Sequence, residues 1–366
     1  MPETRRKFIQ AAAAFAAGDA SGVLPCSARD IQSQAALRDH AAPKGILYGT
    51  AVTNSSLLSD TDYASLVARQ AAILTHQGAM KWDMLRPARD SFDFRAADWF
   101  MTFAAQNGQL VRGHTLVWHH ALPAWFASVR AGEASGLLTG HIRTVLGRYA
   151  GRIHSWDVVN EVIDPAGLGD GGLRRSPWLN LLGPEHIPLA FETAHASDPH
   201  ALLVWNENDM EAATSSGAAK RDAWYRQVSG LKSRQIPIHA VGFQGHLSEA
   251  PVAGREVQQL VRAFGGLGLK VFVTELDVFD QRMPADRVVR EKLVAEKYSE
   301  FLSIALSEPN VALVTTWGLS ARYTFLTQYQ PPFTRLPVRP LPYDEALRPT
   351  AAWTALAEAF DKTYSR

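Results

Sequence analysis

From about residue 44 onward, short runs of apolar and β-branched residues alternate with longer stretches in which apolar positions recur every three or four residues. The short runs read as strands: Ile46–Val52, Ile73–Ala79, Leu110–Val117, Ser155–Ile163, Leu202–Asn206, Ala240–Leu247, Val271–Phe279 and Val311–Leu319. The longer stretches read as helices over Tyr63–Ala72, Phe94–Asn107, Leu137–Ala150, Ile187–Ser197, Ala218–Ser233, Val257–Phe264, Val288–Leu306 and Ala351–Phe360. Parallel strands covered on both faces read as nearly continuous apolar runs, and eight strand–helix repeats are what a closed (β/α)8 barrel requires. The rival is an open doubly wound sheet, but no Gly-x-Gly-x-x-Gly turn follows the first strand to favour it. The pattern predicts an α/β protein with one (β/α)8 TIM barrel over residues 44–361. The Gly/Pro-rich stretches Asp164–Pro184 and Gln328–Pro349 read as long loops after strands four and eight, on the face where such barrels carry their sites.

Composition narrows the function. The chain has 366 residues, 46% of them hydrophobic, with 37 Lys and Arg against 36 Asp and Glu, a net charge of +1. That balance excludes a nucleic-acid partner held by backbone charge and favours a neutral substrate. One cysteine, Cys26, excludes an internal disulfide framework and any cysteine-rich metal site. The segment Thr4-Arg5-Arg6-Lys7-Phe8-Ile9-Gln10 precedes an alanine-rich run to Ala17, the charged-then-apolar order of an export signal, and its paired arginines resemble the bacterial twin-arginine address. Residues 1–28 are therefore read as export signal and linker, and the mature protein as periplasmic or extracellular. Leu24-Pro25-Cys26 only loosely matches a lipid-attachment box, with proline where a small residue belongs. No stretch has the 18 apolar residues that a membrane span needs.

The chemistry collects at strand ends. Strand four ends Trp156-Asp157-Val158-Val159-Asn160-Glu161 and strand seven ends Thr274-Glu275-Leu276-Asp277, so two carboxylates reach one barrel face from opposite sides. Glycoside cleavage needs such a pair, one to protonate the leaving oxygen and one to attack the anomeric carbon. A lone glutamate at a strand end is more often an ion-pair or capping residue; the pair carries the reading. His114, His119, His120 and His246 raise a metal-hydrolase alternative, but three share one strand end and no His-x-His pair lies on strand one, so no metal or cofactor is assigned. Trp99, Trp224 and Trp353 lie on helical faces and are assigned to the core.

Gly113-His114-Thr115-Leu116-Val117-Trp118-His119, Trp156 to Glu161, Gly242-Phe243-Gln244-Gly245-His246 and Thr274 to Asp277 resemble the signature segments of glycoside hydrolase family 10, chiefly endo-β-1,4-xylanases. The resemblance runs from about Lys44 to Phe360 and includes Gly49-Thr50-Ala51-Val52 and Met80-Lys81-Trp82. It implies that Glu161 is the acid/base and Glu275 the nucleophile of a retaining double displacement on xylan. It implies substrate contacts at Lys81, His114, Trp118, Asn160, Gln244, His246 and Trp317. His246 with Asp277 reads as a chain that orients Glu275 and keeps it ionised.

Departures from the family pattern bear on the substrate. Gln77-Gly78-Ala79 stands where the family usually has Glu-Asn-Ala, Ala121 replaces a frequent glutamine, Ala321 a usual aspartate, and Phe325 a tryptophan lid. These changes predict a weaker or reshaped distal sugar site and a more apolar pocket. A different β-glycan or glycoside is thus the alternative substrate, and a carbohydrate-binding barrel without turnover the alternative class. The second would not be expected to keep both glutamates. Oligomeric state is not readable from the sequence.

Overall fold

The computed structural model describes residues 35–164, 166, 170–329 and 338–365; residues 1–28, expected to be an export signal and linker, lie outside the described residues, Cys26 among them. Eight parallel strands form the centre: β1 (Leu47–Val52), β2 (Ile73–His76), β3 (Leu110–Val117), β4 (Ser155–Asn160), β5 (Leu202–Glu207), β6 (Ala240–Phe243), β7 (Lys270–Val278) and β8 (Val311–Thr316). Each pairs with the next in sequence, and β8 returns to β1 with Leu47 opposite Leu313. The ring is therefore closed, as the alternating pattern predicts, and the open-sheet rival is excluded.

Eight helices follow the strands: α1 (Thr61–Gln70), α2 (Arg95–Gln106), α3 (Ala131–Tyr149), α4 (His186–Ser197), α5 (Ser215–Ser233), α6 (Gly254–Gly266), α7 (Arg287–Ala305) and α8 (Ala351–Lys362). Each buries one apolar stripe against the strands; in α6 it is Val257, Leu260, Val261 and Phe264, at the three- and four-residue spacing of one helical face. Side-chain oxygens start several of them: Asp60 accepts from the Tyr63 amide, Thr214 from Gly217, Asp286 from Val289 and Thr350 from Ala352. Trp224 and Trp353 are buried as expected, whereas Trp99 is only half-buried.

The barrel interior changes character along its axis. Ile73, Val204, Ala240, Phe272 and Leu313 form an apolar cluster. The Arg112 guanidinium lies 5.7 Å from the Phe272 ring and pairs with Asp157, both fully buried. Close packing explains two of the signature glycines. A Cβ on Gly113 would stand 2.1 Å from the Trp156 ring, and one on Gly242 would stand 2.2 Å from Asn206 Oδ1.

Five strands end earlier than the apolar runs suggest, β7 at Val278 and β8 at Thr316 among them, and the other three do so for a visible local reason. β2 stops at His76 because its Nδ1 accepts from the amides of Gly78 (2.9 Å) and Ala79 (2.6 Å), closing a turn. β4 stops at Asn160 because Glu161 takes a left-handed backbone conformation, φ 56°. β6 breaks at Gln244-Gly245, where Gly245 has φ 79°, and resumes as His246–Leu247 beside β7. Short helices at Leu37–Ala41, Asn54–Ser59, Trp82–Leu85 and Pro177–Leu182 are additions the periodicity did not reveal, being too brief to show it.

Candidate active site

The C-terminal ends of β3 to β8 converge on one cleft. On one side Glu275, carried by β7 and 4% exposed, accepts from Asn206 Nδ2 at 2.8 Å through Oε1. Its Oε2 lies 3.3 Å from His246 Nε2, and His246 Nδ1 lies 2.8 Å from Asp277 Oδ1. The chain Asp277–His246–Glu275 expected from the sequence is thus assembled. Desolvation alone would lower the His246 pKa, but the Asp277 and Glu275 carboxylates outweigh it and raise it well above the ordinary imidazole value. That direction favours the imidazolium form, which donates to both carboxylates.

On the other side Glu161 follows β4. Its amide donates to the Asn206 carbonyl (2.9 Å), and its own carbonyl accepts from Arg174 Nε (2.7 Å). Its carboxylate accepts from Trp118 Nε1 at 2.8 Å and from Gln244 Nε2 at 3.0 Å. Burial pushes the carboxyl up, but these two hydrogen bonds, then the charges of His119 in its protonated form and of Arg174, outweigh it, leaving Glu161 below the usual glutamate range. The neighbouring His119 contributes no charge at neutral pH, because burial, then His120 and Arg174, push it down to about 4.

One line of bonds joins the two carboxylates. Gln244 Nε2 also reaches Asn160 Oδ1 (3.3 Å), which accepts from Asn206 Nδ2 (2.8 Å), the nitrogen that donates to Glu275. Asn206 is held in turn by Thr274 Oγ1 on its Oδ1 (2.6 Å). The strand pattern alone did not single out Asn206. The available signal was the one used at β4 and β7, a polar residue ending an apolar strand on the same barrel face.

An aromatic wall borders these groups. The Lys81 ammonium lies 4.4 Å from the Trp118 ring centroid. Burial lowers the Lys81 pKa, partly offset by Glu275 and Glu161, which places this cation within the field of both glutamates. The His114 ring stands 5.4 Å from Trp317 and 6.4 Å from Trp118, with His114 Nδ1 anchored 2.9 Å from Asp157 Oδ2. His246 is 6.4 Å from Trp317 and 5.8 Å from Phe325. Gln77 is half-buried at the start of the turn leading to Lys81, outside this bonded set. Beside it, a Cβ on Gly78 would meet no atom within 4 Å.

A closed parallel barrel with two glutamates poised at its C-terminal mouth, one beside an imidazolium and one beside uncharged donors, defines a glycoside hydrolase. The family model "Glycosyl hydrolase family 10" matches residues 36–359, and the chain belongs to that family. It is 35% identical over 275 residues to "Beta-1,4-xylanase" of Dictyoglomus thermophilum, covering 72% of this chain and 75% of that protein. It is 31% identical over 332 residues to "Endo-1,4-beta-xylanase B" of Thermotoga neapolitana, covering 89% of this chain and 92% of that one. The crystal structure of xylanase 10B from Thermotoga petrophila in complex with xylobiose superposes with a TM-score of 0.82 at 31% identity, covering 90% of this chain and 98% of that one.

Proposed function

We propose that the protein is a retaining endo-1,4-β-xylanase in which Glu275 is the nucleophile and Glu161 the acid/base, acting on xylan or a closely related β-glycan. In the first step a Glu275 oxygen attacks the anomeric carbon as Glu161 gives its proton to the departing glycosidic oxygen. In the second, Glu161 takes a proton from water, the hydroxyl adds to the anomeric carbon, and the Glu275 ester is released. The observation that carries this reading is the unequal setting of the glutamates. Glu275 accepts from Asn206 and lies 3.3 Å from His246, whose other ring nitrogen meets Asp277, whereas Glu161 follows a separate strand and accepts from Trp118 and Gln244. Asn160 binds Asn206 through its oxygen, and its amide nitrogen suits the 2-hydroxyl of the sugar, a contact that strengthens toward the transition state. Lys81 and His114 suit the hydroxyls of the glycone, and Trp118 and Trp317 its ring faces.

The catalytic barrel is assigned to residues 44–361, and residues 1–28 to export by a twin-arginine route to the periplasm or medium. That address rests on the sequence of residues 4–17 alone. Among the described residues no helix is long and apolar enough to cross a membrane. The test is reducing-sugar release from soluble arabinoxylan, with Glu275→Ala in parallel. Release that falls by about four or more orders of magnitude in the variant is the expected result. Release that persists removes Glu275 from the mechanism, and none from either protein turns the search to other β-glycans.

A further inference from the structure

The last two residues of β5 brace the end of β4 from opposite faces. Asn206 points into the barrel, where its side chain serves Asn160 and Glu275 while its carbonyl takes the Glu161 amide. Glu207, the next residue, faces the other way, on the side of Trp205 two positions before it. Its side chain is fully buried, and a single oxygen, Oε1, accepts three N–H groups: Trp205 Nε1 at 2.8 Å, Val162 N at 2.8 Å and Ile163 N at 3.1 Å.

Val162 and Ile163 directly follow Glu161. The ladder of β4 has ended at Asn160, so these two buried amides have no strand partner for their hydrogens and need another acceptor. Glu161 itself lies at φ 56°, a region that residues with a Cβ occupy only when their surroundings hold them there. The turn is held by the Asn206 carbonyl before it, by Arg174 Nε on its carbonyl, by the Arg174 amide on the Val162 carbonyl (2.7 Å) and by the Glu207 carboxyl on the two amides beyond. We propose that Glu207 is a positioning residue for proton transfer: by gathering the Val162 and Ile163 amides it sets the turn that aims the Glu161 carboxyl at the glycosidic oxygen. This rests on the assignment of Glu161 as acid/base. Burial pushes the Glu207 carboxyl up to about 8, with Lys220 pulling down and Glu161 pushing up, a direction that favours the protonated form of the brace. A glutamine, neutral and with one carbonyl oxygen, reproduces that acceptor.

The experiment compares kcat/KM of Glu207→Gln and Glu207→Met on two β-xylobiosides, one with a dinitrophenyl leaving group that departs without a proton and one with an alkyl leaving group that needs it. Glu207→Gln should stay within about twofold of the parent on both, since the acceptor remains. Glu207→Met, similar in length but lacking the acceptor, should lose about 10²-fold on the alkyl glycoside, and less than about fivefold on the dinitrophenyl glycoside. A proportional loss on both substrates, or no loss on either, overturns the proposal. Should Glu207→Met fail to fold, Glu207→Asp, which withdraws the same acceptor by one methylene, takes its place: a selective loss on the alkyl glycoside supports the proposal, and a proportional loss or none overturns it. Glu161→Ala runs alongside. If it shows no leaving-group dependence, the acid assignment fails and takes the proposal with it, a result distinct from loss of the dependence in the Glu207 variants alone.

Discussion

Two histidines on opposite sides of the cleft are driven in opposite directions. His246, beside Glu275, lies between two carboxylates and is held well above the ordinary imidazole range; His119, beside Glu161, is half-buried next to His120 and Arg174 and is pushed down to about 4. At neutral pH the nucleophile side therefore holds a positive ring and the acid/base side an uncharged one. The roles proposed for the two carboxylates differ in their need for a neighbouring cation. A nucleophile must stay ionised, and an adjacent cation favours that; a group that gives up and regains a proton in every turnover is hindered by a cation locked onto its oxygens. Arg174, a cation beside Glu161, is bonded to its backbone carbonyl and to Asp164 instead of its carboxylate.

The largest effect that sharpens this contrast is expected from Glu161→Ala. On xylan its kcat/KM should fall by about 10²–10⁴-fold, while an aryl glycoside with a strongly acidic leaving group loses far less, because only the first needs the proton. Equal losses would move the acid elsewhere. Next is Asp277→Asn, which removes the larger of the two influences that charge His246. Nitrogen-15 spectra should show His246 doubly protonated from pH 5 to 8 in the parent, and losing its second proton within that range in the variant, with kcat lowered by about tenfold or more. A parent ring that titrates normally near 6.5 would break the comparison.

Stability in acid extends the comparison to a histidine below the rim. Burial, then the Lys81 charge, push His76 down to about 3, so the unfolded chain takes up a proton that the fold refuses. Its contribution is complete above about pH 6.5 and is lost as pH falls toward 3, on the order of 2 kcal/mol by pH 5. Urea midpoints should drop from pH 7 to pH 5, and unchanged midpoints would contradict the buried neutral ring. The smallest effect concerns the sugar rim. Gln77→Glu with Gly78→Asn should lower KM for longer xylo-oligosaccharides by about tenfold with little change in kcat, as hydrogen bonds to a charged acceptor contribute about 1.5–3 kcal/mol. An unchanged KM would mean that other residues build the distal site.

Most of the barrel was legible because buried parallel strands and amphipathic helices repeat with their own periods, and the two glutamates because they end strands of that pattern. What escaped the reading was long-range. Asn206 joins Asn160 and Glu275, partners 46 and 69 residues away, and no local pattern reports such bonds. Glu207 sits one position past a strand that was expected to end at Asn206, and its meaning comes from amides 45 and 44 residues earlier. Nor does a strand-end position report that Glu275 is only 4% exposed, with Asn206 and His246 against its two oxygens. The predicted run through β6 hid the break at Gly245, since a single glycine does not interrupt an apolar pattern.

Gly78 and Gly242 stand in contrasting steric settings around the same cleft. At Gly242 the smallest side chain would strike Asn206, the residue that bridges Asn160 to the nucleophile, whereas at Gly78 a new side chain enters open space at the sugar rim. Inherited variation therefore has unequal freedom here. A side chain added at Gly78 meets no neighbour that must move, while one added at Gly242 displaces the residue that links Asn160 to Glu275.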